Sequence, residues 1–128
     1  MSEAPPRPTD SELEILTVLW SRGPSTVREI HEVTNQRKPV QYTTVLKLLQ
    51  IMADKKLVRR NEKQRAHVYE AASPRESTQK QLAGDLLQRA FNGSAAHLMQ
   101  GALSSRKTSK EELAELRKLL DEYEGRQR

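Results

Sequence analysis

The stretch "QYTTVLKLLQIMADKKLV", from Gln41 to Val58, decides how the whole chain is interpreted. At about 100° of rotation per residue, a helix here has one apolar stripe facing inward, formed by Val45, Leu49 and Met52 with Leu46 and Ala53 beside it. The opposite side carries a different mixture, with Leu48 at its border: Thr44, Lys47, Ile51 and Lys55. A helix that serves only as core has no need of lysines and a large aliphatic on its outward side. This side is therefore a candidate binding surface.

The residue types on that side suit the major groove of DNA. A lysine can donate hydrogen bonds to O6 and N7 of guanine, a threonine can hydrogen-bond a base edge, and aliphatic side chains can touch the methyl group of thymine. Thr43 lies at the start of the helix, where its hydroxyl and the backbone amides can bind a phosphate. The alternative is that Leu48 and Ile51 pack against a neighbouring helix or a partner protein.

The segments around this helix predict a winged helix-turn-helix. Thr9 or Asp10 can cap a first helix that ends at Gly23-Pro24, and Ser25 or Thr26 can cap a second. Downstream, "KLVRR" and "AHVYEA" are short runs with β character, joined by the polar loop "NEKQR". This pattern predicts a β-hairpin, which is the wing of such a fold.

Charge is concentrated in the same part of the chain. The net charge is +5, but residues 36–67 hold nine Lys or Arg against only Asp54 and Glu62, a local net charge of +7. A basic segment in a near-neutral background indicates a polyanionic partner. The alternative is a solvated lysine-rich face.

In a winged helix the third helix enters the major groove, while the second helix and the wing can contact the backbone. The candidate DNA-binding residues are therefore Thr26 and Arg28 in the second helix, Tyr42, Thr43, Thr44, Lys47, Leu48 and Ile51 in the third, and Lys63, Arg65 and His67 in the wing. Arg59 and Arg60 flank the base of the wing. One of this pair is expected to face solvent without a partner.

The C-terminal part consists of amphipathic helices. Ser73-Pro74 starts one helix, Asn92-Gly93 ends it, and Ser109 with Glu112 matches a capping box for the last helix. The candidate dimerisation residues are Leu82, Leu86, Leu98, Met99, Leu113, Leu116, Leu120 and Tyr123. These stripes could close an intramolecular three-helix cap. We favour a homodimer, because one small module usually binds an operator too weakly and two linked modules combine their affinities.

The predicted organisation is a disordered arm over residues 1–9, a winged helix-turn-helix DNA-binding domain over 10–73 and a helical dimerisation domain over 74–128. The fold class is mostly α with a small β-hairpin. The corresponding function is sequence-specific DNA binding, and the alternative is a protein-interaction module without specific DNA binding.

Several classes of function have little support. There is no cysteine, so thiolate metal sites and cysteine nucleophiles are excluded. The histidines are isolated, and no phosphate-binding glycine loop or nucleophile elbow appears. We expect no metal, no cofactor and no enzymatic activity. No apolar run approaches the roughly 20 residues of a membrane span, so the expected location is the cytoplasm.

Three groups of motifs resemble the BlaI/MecI/CopY family of penicillinase and methicillin-resistance repressors. They are "PTDSELEILTVLWSRGPSTVREIHEVTN", "YTTVLKLLQIMADKKLVRR" with "RAHVYEA", and the C-terminal "FNGSAAHLM" with "SKEELAELRKLLDE". The resemblance runs from about Thr9 to Glu124. It implies a winged-helix homodimer that represses transcription at a palindromic operator and is inducible in an antibiotic or stress response.

Two departures from the family pattern bear on induction. Copper-responsive members bind metal through C-terminal cysteines, which this chain lacks, so copper sensing is not expected. Several antibiotic-responsive members are cut by a membrane sensor metalloprotease at an Asn-Phe bond, and the matching pair here is Gly101-Ala102. The resemblance implies a membrane sensor metalloprotease as a partner, whereas the missing Asn-Phe pair argues against cleavage at this position. The sequence does not identify the inducing signal, the operator sequence or the target genes.

Overall fold

The computed structural model describes residues 6–63 and 65–127. Most of them are helical, and a small antiparallel sheet completes the fold. The elements are α1 (Asp10–Arg22), β1 (Ser25–Thr26), α2 (Val27–Arg37), α3 (Tyr42–Asp54), β2 (Val58–Asn61), β3 (Val68–Ala71), α4 (Arg75–Phe91), α5 (Ala95–Ser104) and α6 (Lys110–Arg126). This order confirms the predicted fold class, a winged helix followed by C-terminal helices.

Two capping boxes set the starts of α1 and α2. The Thr9 hydroxyl accepts from the Glu12 backbone N–H while the Glu12 side chain accepts from the Thr9 backbone N–H, and Thr26 and Glu29 repeat this exchange. Of the predicted arm, residues 1–5 lie outside the described residues. Pro8, however, is buried, so the packed structure begins before the predicted boundary at residue 10.

The sheet has three strands in the order β1-β3-β2, all antiparallel. The predicted hairpin of β2 and β3 is confirmed, whereas β1 was not predicted. In β1, Ser25 pairs with Tyr69 and Thr26 pairs with Val68. A strand of two residues has no alternation that a sequence pattern could reveal. Its pairing places the N-terminus of α2 directly beside the inner strand of the wing.

The core draws on α1, α2, α3, β2 and β3. Its buried residues are Ile15, Leu16, Val18, Leu19, Val27, Ile30, Val45, Leu49, Met52, Leu57, Val58 and Tyr69. The inward stripe predicted for α3 is thus confirmed. On β3 the adjacent Val68 is only half-buried, as expected because successive side chains point to opposite faces of a strand.

The described chain divides into two compact units between Ala83 and Gly84, within α4. The first turns of α4 belong to unit 1, since Nε1 of Trp20 donates to the Ser73 carbonyl oxygen at 2.9 Å and Thr78 is buried. This division lies ten residues beyond the predicted boundary at Ser73. Unit 2 holds the rest of α4 with α5 and α6, which Ser94 and Ser109 cap.

Candidate DNA-binding surface

The outward side of α3 is a continuous exposed surface. Thr43, Thr44, Lys47, Gln50 and Ile51 are all exposed, and we call these five residues the outer face of α3. Burial of Thr44, Lys47 and Ile51 inside the molecule would have excluded the predicted role of this helix, and the structure places all three outside. Gln50 was not among the predicted residues.

Leu48 and Tyr42 border the outer face differently. Leu48 is half-buried and packs against the core, so only part of its side chain is accessible. Tyr42 is exposed, and its ring meets His31 edge-on with 5.8 Å between ring centroids. A role of either residue in DNA contact stays a prediction.

The turn before α3 is held by two side chains of α2. Nε2 of His31 is 2.7 Å from the carbonyl oxygen of Val40, and the Asn35 side-chain oxygen accepts from the Val40 backbone N–H at 3.0 Å. His31 thus fixes the approach to α3 and supports the Tyr42 ring. Sequence spacing gave no signal, because the acceptor lies in an irregular turn.

The N-terminus of α3 has no side-chain cap, since Gln41 at the capping position makes no such hydrogen bond. The helices α1, α2, α5 and α6 are all capped by a Thr or Ser hydroxyl. The first N–H groups of an uncapped helix point outward along the positive end of the helix dipole, where they can bind an anion. Thr43 lies in this first turn, as predicted.

Lys55 does not belong to the outer face, contrary to the prediction. Its Nζ lies 3.0 Å from both carboxylate oxygens of Glu12, a residue only 2% exposed. Burial disfavours ionisation of Glu12, but the Thr9 backbone N–H and the Lys55 ammonium outweigh it, so the pKa of Glu12 lies below its ordinary value. Glu12 therefore caps α1 and also holds the C-terminal end of α3.

The residues predicted at the start of α2 are accessible to different degrees. Thr26 is half-buried and its hydroxyl already accepts from the Glu29 N–H, although its own proton remains free to be donated. Arg28 is highly exposed and pairs with Glu32 at 3.5 Å. Such an exposed pair contributes little energy and does not prevent the arginine from engaging another anion.

The wing carries its predicted residues at the surface. Lys63, Arg65 and His67 are exposed, while Gln64 between them lies outside the described residues. None of the three has a salt bridge among the described residues. They therefore form a cationic tip available to an outside partner.

The prediction that Arg59 or Arg60 lacks a partner was wrong. Arg59 donates to the carbonyl oxygen of Ala72 at 3.1 Å and lies 3.8 Å from Glu70. Arg60 hydrogen-bonds Tyr69 and pairs with Glu62, and these contacts raise its pKa above the ordinary value. Both guanidinium groups thus brace the base of the wing.

The predicted dimerisation residues are all incompletely covered within one chain. Leu82 and, in unit 2, Leu98, Met99, Leu113 and Leu116 are half-buried, whereas Leu86, Leu120 and Tyr123 are exposed. Leu119, which was not predicted, is 47% exposed beside them. No described residue from 84 to 127 is buried. An open groove of about 460 Å³ between α5 and α6 is lined by Leu98, Met99, Leu103 and Leu116.

The part of the chain that the structure describes lacks two other features, a metal-binding cluster and a membrane-spanning helix. No three His, Asp or Glu side chains come together in a way that could hold a metal ion. Among the same residues, no helix combines the length and the apolar character that crossing a membrane requires.

Comparison with known proteins agrees with this geometry. A family model described as penicillinase repressor matches residues 8–122. Two proteins described as transcriptional regulator BlaI, from Mycobacterium tuberculosis strains CDC 1551 / Oshkosh and ATCC 25618 / H37Rv, are each 44% identical over 61 residues. That stretch covers 47% of this chain and 44% of each relative. Because the family model extends over nearly all of the chain, the protein belongs to the penicillinase repressor family, as the sequence motifs indicated.

Proposed function

We propose that the chain is a transcriptional repressor that binds a palindromic DNA operator as a homodimer. The observation that carries this proposal is the outer face of α3, where hydroxyl, lysine, amide and aliphatic side chains are exposed together on one helix. These groups match the donors, acceptors and methyl groups that base pairs present in the major groove. The proposed DNA partner also implies that the protein acts in the cytoplasm.

Charge and backbone geometry support contact with phosphates on both sides of α3. The uncapped N-terminus of α3 offers backbone N–H groups, Arg28 lies in the first turn of α2, and Lys63 and Arg65 lie at the wing tip. Phosphate contacts of this kind fix register and supply much of the affinity. We assign DNA binding to residues 10–73.

The dimer is supported by the incomplete packing of unit 2. Its leucines form stripes on α4 and α6 that the unit does not cover, so a second copy is the proposed partner for residues 74–128. Two winged helices on half-sites about 34 Å apart, or a multiple of that, would combine their affinities.

The competing proposal is a winged helix that docks on a protein. It required Leu48 and Ile51 to form an apolar patch, but Leu48 packs against the chain's own core, which leaves Ile51 as a single exposed aliphatic side chain among polar ones. Electrophoretic mobility of labelled DNA at two salt concentrations separates the two proposals. Salt-dependent retardation is expected only of the DNA-binding protein.

Induction by an antibiotic or stress signal belongs to the same proposal. If a membrane sensor metalloprotease cuts the Gly101-Ala102 pair, it must act on residues inside α5 that are exposed but helical. Cleavage there would require local opening of the helix. Incubation with a co-expressed protease and mass spectrometry of the fragments would show whether this bond is cut.

Substitutions at Lys47 and Arg65 test the assignment of the DNA surface. Lys47→Ala is expected to weaken the free energy of binding to the operator by about 1–3 kcal/mol, because it removes a base contact. It should also relax discrimination at one base pair. Arg65→Ala is expected to weaken binding to all DNA sequences alike, because it removes a phosphate contact. It should also reduce the slope of log affinity against log salt concentration by about 1.

The readout is a titration of operator and scrambled DNA at several salt concentrations. Lys118→Ala, on an exposed position of α6, is the matched loss of one positive charge. The assigned surface would be wrong if Lys47→Ala bound both DNAs as the unchanged protein does.

A further inference from the structure

Gln50 carries the exposed amide of the outer face of α3. It lies three residues after Lys47, about 60° from it around the helix axis, whereas Ile51 lies about 40° from Lys47 on the other side. Val45, Leu49 and Met52 occupy the opposite, buried side. Gln50 therefore presents its side chain on the same surface as Lys47.

The amide of Gln50 has no hydrogen-bond partner among the described residues. By contrast, the hydroxyls of Thr17 and Thr34 in unit 1 donate to backbone carbonyls on their own helices. An unbonded amide on an exposed helix face costs nothing in water. It also keeps one donor and one acceptor group available to an incoming partner.

We propose that Gln50 is a specificity-determining residue that reads an adenine in each half-site. The inference rests on the proposed operator binding. A glutamine amide can bond an adenine at N6 and N7 together, its oxygen accepting from the N6 amino group and its nitrogen donating to N7. A threonine hydroxyl carries its donor and acceptor on one atom and Lys47 offers donors only, so neither can bond N6 and N7 together in this way.

The position of that adenine follows from the helix geometry. Gln50 lies about 4.5 Å from Lys47 along the axis of α3, at a rise of about 1.5 Å per residue. Successive base pairs of DNA are about 3.4 Å apart. The adenine read by Gln50 therefore lies within two base pairs of the base pair that Lys47 reads.

The experiment is selection of binding sites from a randomised DNA library by the full-length protein and its variants. The unchanged protein is expected to select a palindrome with a fixed adenine in each half. Gln50→Ala is expected to lose that preference alone, and its affinity for the selected site is expected to fall about 5- to 150-fold, the range for one bidentate base contact. Alanine is a good helix former, so α3 is retained.

Three further variants sharpen the selection. Gln50→Glu keeps the length but can only accept hydrogen bonds, so the selected base is expected to change from adenine to cytosine, whose N4 amino group donates. Gln79→Ala, at an exposed position of α4, is the control and is expected to change no preference. Lys47→Ala is expected to relax a different position within two base pairs.

The outcomes separate this inference from the proposed function. If the unchanged protein selects no site, operator recognition itself fails. If it selects a site that Lys47→Ala relaxes but Gln50→Ala leaves intact, only the role of Gln50 is rejected. The role is also rejected if Gln50→Ala weakens binding to all DNA sequences equally, which indicates a phosphate contact. It is rejected as well if the base whose preference is lost is not adenine.

Discussion

Unit 1 and unit 2 differ in how far one chain completes them. Unit 1 encloses twelve buried hydrophobic residues between Ile15 and Tyr69, whereas none of the described residues from 84 to 127 is buried. Single exposed leucines are ordinary on protein surfaces. In unit 2, Leu86 on α4 and Leu119, Leu120 and Tyr123 on α6 are each at least 42% exposed. The contrast is between one unit with a core of its own and another without one, and it supports the proposed dimer, in which a second copy would cover these side chains.

The largest expected effect comes from charging the uncovered stripe of α6. Leu120→Lys should convert the dimer into monomers, because it places an ammonium in an apolar contact. Operator affinity should then fall by about 10²- to 10⁴-fold, the gain that linking two modules provides. Analytical ultracentrifugation and an operator titration measure the two effects.

Ala114→Lys is the matched control for this change. It adds the same charge to an exposed position on the far side of α6 and should leave the dimer and the affinity intact. A Leu120→Lys protein that sediments as an unchanged dimer would place the interface elsewhere.

Leu49→Ala should have the next largest effect, and it tests whether unit 1 is complete in one chain. Leu49 is fully buried, so its truncation should lower the free energy of unfolding by about 2–5 kcal/mol. Urea unfolding should give the same loss in the Leu120→Lys background, where the chain is monomeric. A loss confined to the dimeric protein would mean that unit 1 also depends on its partner.

Glu12→Gln should have a smaller effect and lower the free energy of unfolding by about 1–3 kcal/mol, because it breaks a charge-assisted contact with Lys55 and weakens the α1 cap. The pKa of Glu12 is lowered in the folded chain, so its contribution is present above the unfolded pKa and is lost as the pH falls through the folded pKa. The variant should therefore be less stable at neutral pH and should lose less stability on acidification.

Thermal unfolding from pH 7 down into the acid range measures both effects of this change. Glu14→Gln, at an exposed position of the same helix, is the control and should follow the unchanged protein. If the two variants showed the same pH profile, the ion pair would have no part in holding the end of α3.

The features that could be predicted from the sequence are those that local periodicity determines. The inward stripe of Val45, Leu49 and Met52 and the β2-β3 hairpin follow from spacings of a few residues. The same spacings limited the caps to Thr9 or Asp10 and to Ser25 or Thr26, and in both cases the structure has the threonine as the cap. The exposure of Thr44, Lys47 and Ile51 follows from the same periodicity. Contact of these residues with DNA and the dimer interface stay predictions.

The missed features depend on partners far apart in the chain or in irregular segments. Lys55 looked like a free cation because Glu12, its partner, lies 43 residues earlier. The pairing of β1 with β3 joins two residues to a strand more than 40 positions away. The exposure of Gln50 follows from the helical period, and its contact with a base is a proposal.

The short pairing of β1 with β3 has a consequence for the proposed complex. Thr26, at the entrance to α2, is joined by backbone pairing to Val68, next to His67 of the wing. Neighbouring strands keep a separation of about 4.8 Å, so these two contact points cannot swing independently. The distance between the two proposed phosphate contacts is then fixed before binding, so little conformational freedom would be lost on binding. A duplex whose groove width does not match this distance would be bound less tightly.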